Sequence, residues 1–129
     1  MQHIMFGDIN ATKTVCILSV YLNKEEIKKT YLQPFGLDED AFMALSLYQD
    51  LKTKKTSKAL LKEYVETELV PVLKEQSIKY VLCTDAEYFK VLAGVMKVDT
   101  NVGYVMPCVY DPNMFVTYAP SYKSVFYDP

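Results

Sequence analysis

Five lysines, Lys52, Lys54, Lys55, Lys58 and Lys62, fall within eleven residues with no acid between them. Ammonium groups so spaced can neutralise neighbouring phosphates, and Thr53, Thr56 and Ser57 add hydroxyl donors between them. The chemistry this pattern points to is phosphate contact by Lys52, Lys54, Lys55 and Lys58; the plain alternative is a solvated basic loop. All 14 basic residues are lysine. Without arginine there is no planar fork to grip phosphate or guanine bidentately, so strong base-specific readout is not expected. The codon bias of an AT-rich genome equally accounts for the missing arginine, the 11 tyrosines and the absent tryptophan.

Other reactive types are sparse. Cys16, Cys83 and Cys108 lie far apart, each inside an apolar or β-branched run, and read as buried free thiols in strands. An odd cysteine count fits a reducing compartment. His3 is the single histidine, on what reads as a loose terminus, so neither a tetrahedral metal site nor a thiol–imidazole pair is expected. Glu63, Glu66 and Glu68 are close on a helix, and the i,i+4 partner Lys62 of Glu66 explains them as an exposed face. With four glycines there is no GxGxxG, no phosphate-cradling loop and no nucleophile elbow. No catalytic residue, metal or cofactor is assigned.

The elements that must position these groups follow from periodicity. Residues 14–22 (TVCILSVYL) are apolar almost without a break, the pattern of a central strand covered on both faces. Asn23, with Glu26 three residues on, starts a helix over residues 24–32 that Pro34 and Gly36 end. Residues 37–48 admit a helical turn capped by Asp38 and a strand at 43–48, which is the reading favoured here. Ser57 or Thr56 caps a helix over 58–76 whose stripe is Leu61, Val65, Leu69, Val72 and Leu73. Pro71 inside it predicts a kink, or two helices end to end. Residues 78–83 are the clearest second strand; Asp85 caps a helix over 86–93 that Gly94 closes. Residues 102–109 and 114–118 read as strands joined by a turn at 111–113. Residues 1–13 read as a polar leading segment.

Strands alternating with helices predict an α/β fold: three layers, with a mostly parallel central sheet and flanking helices. In such sheets ligands sit beyond the carboxyl ends of the strands. Those positions hold Asn23, Thr84, Asp85, Ser121 and Tyr122, which are the crevice candidates. Helix capping is the plain reading of Asn23 and Asp85, and a turn that of Ser121. Tyr118, Tyr122 and Tyr127 can stack on bases, but core or edge packing is the favoured reading.

Length and composition set the outer bounds. A chain of 129 residues, 50% apolar, makes one domain and excludes a disordered segment. No apolar run nears the roughly 18 residues of a membrane span. No signal peptide opens the chain, so a cytoplasmic protein is expected. A net charge of −2 restricts any nucleic-acid contact to a local patch. The chain stops at Asp128–Pro129 directly after an apolar stretch, so residues 1–129 are expected to be the N-terminal domain of something longer.

Residues 80–94 (YVLCTDAEYFKVLAG), 103–108 (GYVMPC) and 117–129 (TYAPSYKSVFYDP), with the opening VCILSVYL, resemble the N-terminal region of bacteriophage family A DNA polymerases. That region resembles a uracil-DNA glycosylase-type α/β fold and precedes exonuclease and polymerase domains. The resemblance implies strand ends that face DNA or a replication partner. It also implies that the nucleotidyltransferase carboxylates of such a polymerase lie beyond Pro129. A working glycosylase of this fold carries a water-activating polar loop after its first strand and a His-Pro-Ser-type loop near its end. Here the first strand runs into Val20–Tyr21–Leu22–Asn23–Lys24, and Ala119 stands where the histidine would. Without that charge stabiliser no uracil excision is expected. The expected function is a non-catalytic accessory domain for DNA replication, with weak, non-specific DNA contact or docking onto the downstream domains. The alternative is a standalone small phage protein that binds a host or replication protein through a tyrosine-rich edge. A nucleotide-binding enzyme using Asn23, Thr84 and Asp85 is the third possibility.

Overall fold

Residues 15–18 are apolar without a break because the strand they form is covered from both sides. In the computed structural model, which describes residues 1–48, 57–96 and 105–118, β2 (Val15–Ser19) lies inside a six-stranded sheet. The other strands are β1 (His3–Met5), β3 (Phe42–Ser46), β4 (Tyr80–Cys83), β5 (Val105–Cys108) and β6 (Asp111–Tyr118), in the order β1-β3-β2-β4-β6-β5.

The sheet is mixed, not mostly parallel as the sequence suggested. β3, β2, β4 and β6 run parallel, whereas β1 pairs antiparallel with β3, and β5 antiparallel with β6. The physical reason lies at the two flanks. Residues 1–13 are not merely a leading segment: His3 sits opposite Leu45, and Phe6 beyond it is fully buried. At the other flank the turn falls at Val109–Tyr110, not at 111–113. A two-residue connection can only make an antiparallel hairpin. Asp111 already belongs to β6; its carboxylate accepts the Asn113 N–H (3.0 Å), the local bond that made the triplet look like a turn. β5 carries Pro107, and its pairing with β6 slips at Pro107/Cys108.

One face of the sheet packs against a long helical run and α4. α2 (Lys58–Tyr64), a π-helical stretch (Val65–Leu69) and α3 (Val70–Glu75) form that run. Leu61, Val65, Leu69 and Leu73 are buried against Cys16, Leu18, Met43, Leu45, Val81 and Val116, and Val72 is half-buried. At Pro71 two helices run end to end, α2 passing through the π-helical stretch into α3. The Val70 N–H reaches back five residues to the Val65 carbonyl, and the widened turn accommodates the proline. α4 (Ala86–Ala93) inserts Phe89, fully buried, which contributes roughly 2–3 kcal/mol of burial. Gly94 ends α4 at φ +67°, and a Cβ there would lie 2.6 Å from Val109 Cγ1.

On the second face, α1 (Lys24–Ile27) and the π-helical turn after it (Lys28–Leu32) bury Ile27 and Leu32 on Ile17, Phe42 and Ala44. Asp38 caps a short 3₁₀ turn (Glu39–Ala41) directly before β3, so residues 37–48 hold both a helical turn and a strand. This cover reaches Leu82 and stops there: Tyr80, Phe115 and Val105, further along the same face, are exposed.

Candidate functional site

The parallel strands change direction of progression between β2 and β4. The chain goes from β2 outward to β3, then crosses back to β4 on the other side. Beyond the carboxyl ends of those two strands lies the switch-point crevice at which open α/β sheets place ligands. Asn23 follows β2, and Thr84 and Asp85 follow β4, so the structure brings these three expected residues to one place. Ser121 and Tyr122 lie outside the described residues, as do Lys52, Lys54 and Lys55.

Each of the three described crevice groups is engaged by backbone. Asn23 Oδ1 accepts the Glu26 N–H at 3.1 Å, and Asp85 Oδ1 accepts the Tyr88 N–H at 3.1 Å. Thr84 donates through Oγ1 to the Leu18 carbonyl at 2.8 Å, and its N–H donates to the same oxygen at 3.0 Å. These bonds start α1 and α4 and tie β4 to β2. The space left between Ile17, Tyr21, Asn23, Tyr31 and Thr84 is about 20 Å³, room for about one water molecule. Burial beside Tyr118 pushes the Tyr31 phenol up to about 12, so it is neutral at physiological pH.

Lys58 is the one lysine of the basic run's four phosphate candidates that the structure describes. It opens α2 behind Ser57, whose hydroxyl accepts the Leu60 N–H at 3.3 Å. Six residues on, Tyr64 donates to the Ser46 carbonyl at the end of β3, so α2 begins beyond the same carboxyl edge as the crevice. Tyr48, Tyr64 and Tyr88 form a chain of ring contacts there (5.9 and 6.0 Å between centroids). The Tyr88 hydroxyl donates to the Tyr48 carbonyl at 2.7 Å.

The thiols are buried. Burial pushes Cys16, Cys83 and Cys108 up from the ordinary thiol value, and all three are free. His3 is exposed in β1 rather than on a loose end. Among the described residues no cluster of three or more His, Cys, Asp or Glu is placed to hold a metal ion. No helix among them is long and apolar enough to cross a membrane.

No protein-family model matches the chain, and no curated protein matches it.

A larger cleft lies at the opposite edge of the sheet. It measures about 430 Å³ and is lined by Lys74, Ser77, Lys79, Tyr110 and Asn113 among others. Sequence reasoning missed it because its residues come from the end of α3, the lead into β4 and the start of β6. The available signal was alternation: Phe115 stands between the buried Met114 and Val116, so it had to point away from the core. Tyr118 packs against Phe89, with ring centroids 5.7 Å apart, in line with the packing reading favoured for it over base stacking.

Proposed function

We propose that this chain is a non-catalytic accessory domain of a phage DNA-directed DNA polymerase. In the host cytoplasm it would supply weak, non-specific DNA contact or docking to the exonuclease and polymerase domains. The observation that carries the non-catalytic part is the switch-point crevice. Base excision needs a pocket for a flipped base and polar groups free to act on it. Here Asn23, Thr84 and Asp85 hold backbone, and the space beside Asn23 and Thr84 is about 20 Å³. The polymerase context is supported by the resemblance of residues 80–94, 103–108 and 117–129 described above. The DNA contact is supported by the lysine run that leads to Lys58 at the carboxyl edge.

Two assays test the reading. Uracil-containing DNA incubated with the chain should release no uracil above a buffer blank, and release overturns the non-catalytic assignment. In fluorescence anisotropy, the variant carrying Lys52→Glu, Lys54→Glu, Lys55→Glu and Lys58→Glu should bind DNA more weakly on every sequence. Its log–log salt slope should flatten by about one for each phosphate that is no longer neutralised. Unchanged affinity at low salt removes the lysine run from the interface.

A further inference from the structure

Tyr80 on β4 and Phe115 on β6 are register partners on the half of the sheet that no described helix covers. Their rings stack, with centroids 6.0 Å apart and planes 25° from parallel, and the residues are 51% and 37% exposed. A stacked aromatic pair is thus presented to solvent.

The basic cleft adjoins them along the chain. Lys79 immediately precedes Tyr80, and Asn113 lies two residues before Phe115 on the same face of β6. Among the described residues, the Lys74 and Lys79 ammonium groups have no ion pair and no hydrogen bond. The one carboxylate lining the cleft, Asp111, is turned to the Asn113 N–H. Stacked rings and unpaired cations are independent observations: the rings lie on the uncovered face, and the cleft opens at the amino edge of the same two strands, on the side of α3.

We infer that this corner binds single-stranded nucleic acid. Bases stack on Tyr80 and Phe115, and the adjoining phosphates enter the cleft on Lys79 and Lys74, where the Asn113 amide also donates. Charge complementarity selects this occupant. An apolar protein segment would satisfy the rings and leave two ammonium groups unanswered. A duplex keeps its base faces inside its own stack. Ring stacking tolerates any base, which suits a corner without an arginine fork. The inference rests on the DNA-contact reading above but uses a different surface. The helical run from Lys58 to Glu75 has 18 residues and separates the two by about 27 Å.

The test is anisotropy with fluorescent oligothymidine and with a duplex of equal length, at about 50 mM salt. Oligothymidine should bind more tightly than duplex. Tyr80→Ala and Phe115→Ala should each weaken it roughly 5- to 100-fold. Tyr80→Leu, which keeps apolar bulk should alanine fail to fold, should weaken it as well, whereas Tyr80→Phe should keep wild-type affinity. Lys74→Glu with Lys79→Glu should flatten the salt dependence. Because the chain has no tryptophan, tyrosine quenching on binding can be followed, and the part that Tyr80→Phe removes reads stacking on Tyr80 among the 11 tyrosines. If the ring variants bind like wild type while the Lys52, Lys54, Lys55 and Lys58 charge reversals abolish binding, this corner is excluded and the proposed function stands. If the wild type binds duplex but ignores oligothymidine, the corner is overturned and its rings are left to a protein partner. If it binds neither, both readings fall.

Discussion

Lys13 is the only charged side chain buried among the described residues, 3% exposed. Its ammonium donates to the carbonyls of Phe6 (2.6 Å), Asp8 (2.8 Å) and Asp40 (2.8 Å), using all three of its protons. That joins the exit of β1 to the turn before β3. Lys13→Met keeps the stem and leaves three carbonyls unanswered, so it should cost about 2–4 kcal/mol, read as a lower urea midpoint at unchanged slope. The sequence gives no hint of this role, because a lysine among polar residues looks solvated and its acceptors lie up to 27 positions away. The caps were legible for the opposite reason: Asn23 and Asp85 bond three residues ahead, within one turn. A second expectation concerns pH. Burial, then the neighbouring Tyr64 and Asp85, raises the Tyr88 phenol, and burial lifts Tyr31 and Tyr110 to about 12. Their unfolded counterparts ionise near 10. The folded chain therefore holds more protons above pH 10; these groups contribute fully below that and lose their contribution as pH rises towards 12. Thermal midpoints should fall across that window. Tyr88→Phe should lose about 1 kcal/mol at neutral pH, with its hydrogen bond to Tyr48, and should show a shallower alkaline fall.

Two elements share one device. A π-helical turn ends at Leu32, two residues before Pro34, and another ends at Leu69, two residues before Pro71. In each, an N–H reaches back five residues, Gln33 to Lys28 and Val70 to Val65. The wider turn moves aside the carbonyl that a proline ring would strike, which belongs to Thr30 or Thr67. The Thr67 hydroxyl adds a bond to the Glu63 carbonyl at 2.8 Å, a pattern that bends helices. Periodicity marked the prolines as disruptions, but local pattern cannot tell a break from a widened turn, because apolar contacts on both sides decide it. At its other end the run stops at Ser77, φ +60°, where the Ile78 N–H reaches the Leu73 carbonyl at 3.1 Å. That left-handed position is ordinarily glycine's. Ser77→Gly should stabilise the fold by about 0.5–1 kcal/mol in chemical denaturation. Because Ser77 also lines the amino-edge cleft, oligothymidine binding measured alongside separates stability from binding.

At the scale of the whole molecule, alternation predicted α/β with helices on both faces, and the four parallel strands follow it. The antiparallel β1 escaped because its three residues are too short for a period to register, whereas β5 and β6 were legible as two strands joined by a turn. The crevice was legible as a place, since strand ends are where such sheets gather polar groups. Its narrowing to about 20 Å³ was not, because Tyr21 and Tyr31 close it from parts of the chain no local pattern connects. The same short flanks bear on behaviour at high concentration. A strand with a free long side is a template on which another chain can crystallise its own backbone, the first step of fibre growth. Here one flank offers three residues. The other has Pro107, which withdraws an amide, and a slipped register that bends the strand away. Pro107→Val should restore that template and shorten the lag before thioflavin-positive fibres form, with the folded fraction little changed. One pyrrolidine ring and two abbreviated strands thus oppose edge-to-edge pairing by geometry, where a net charge of −2 would do little.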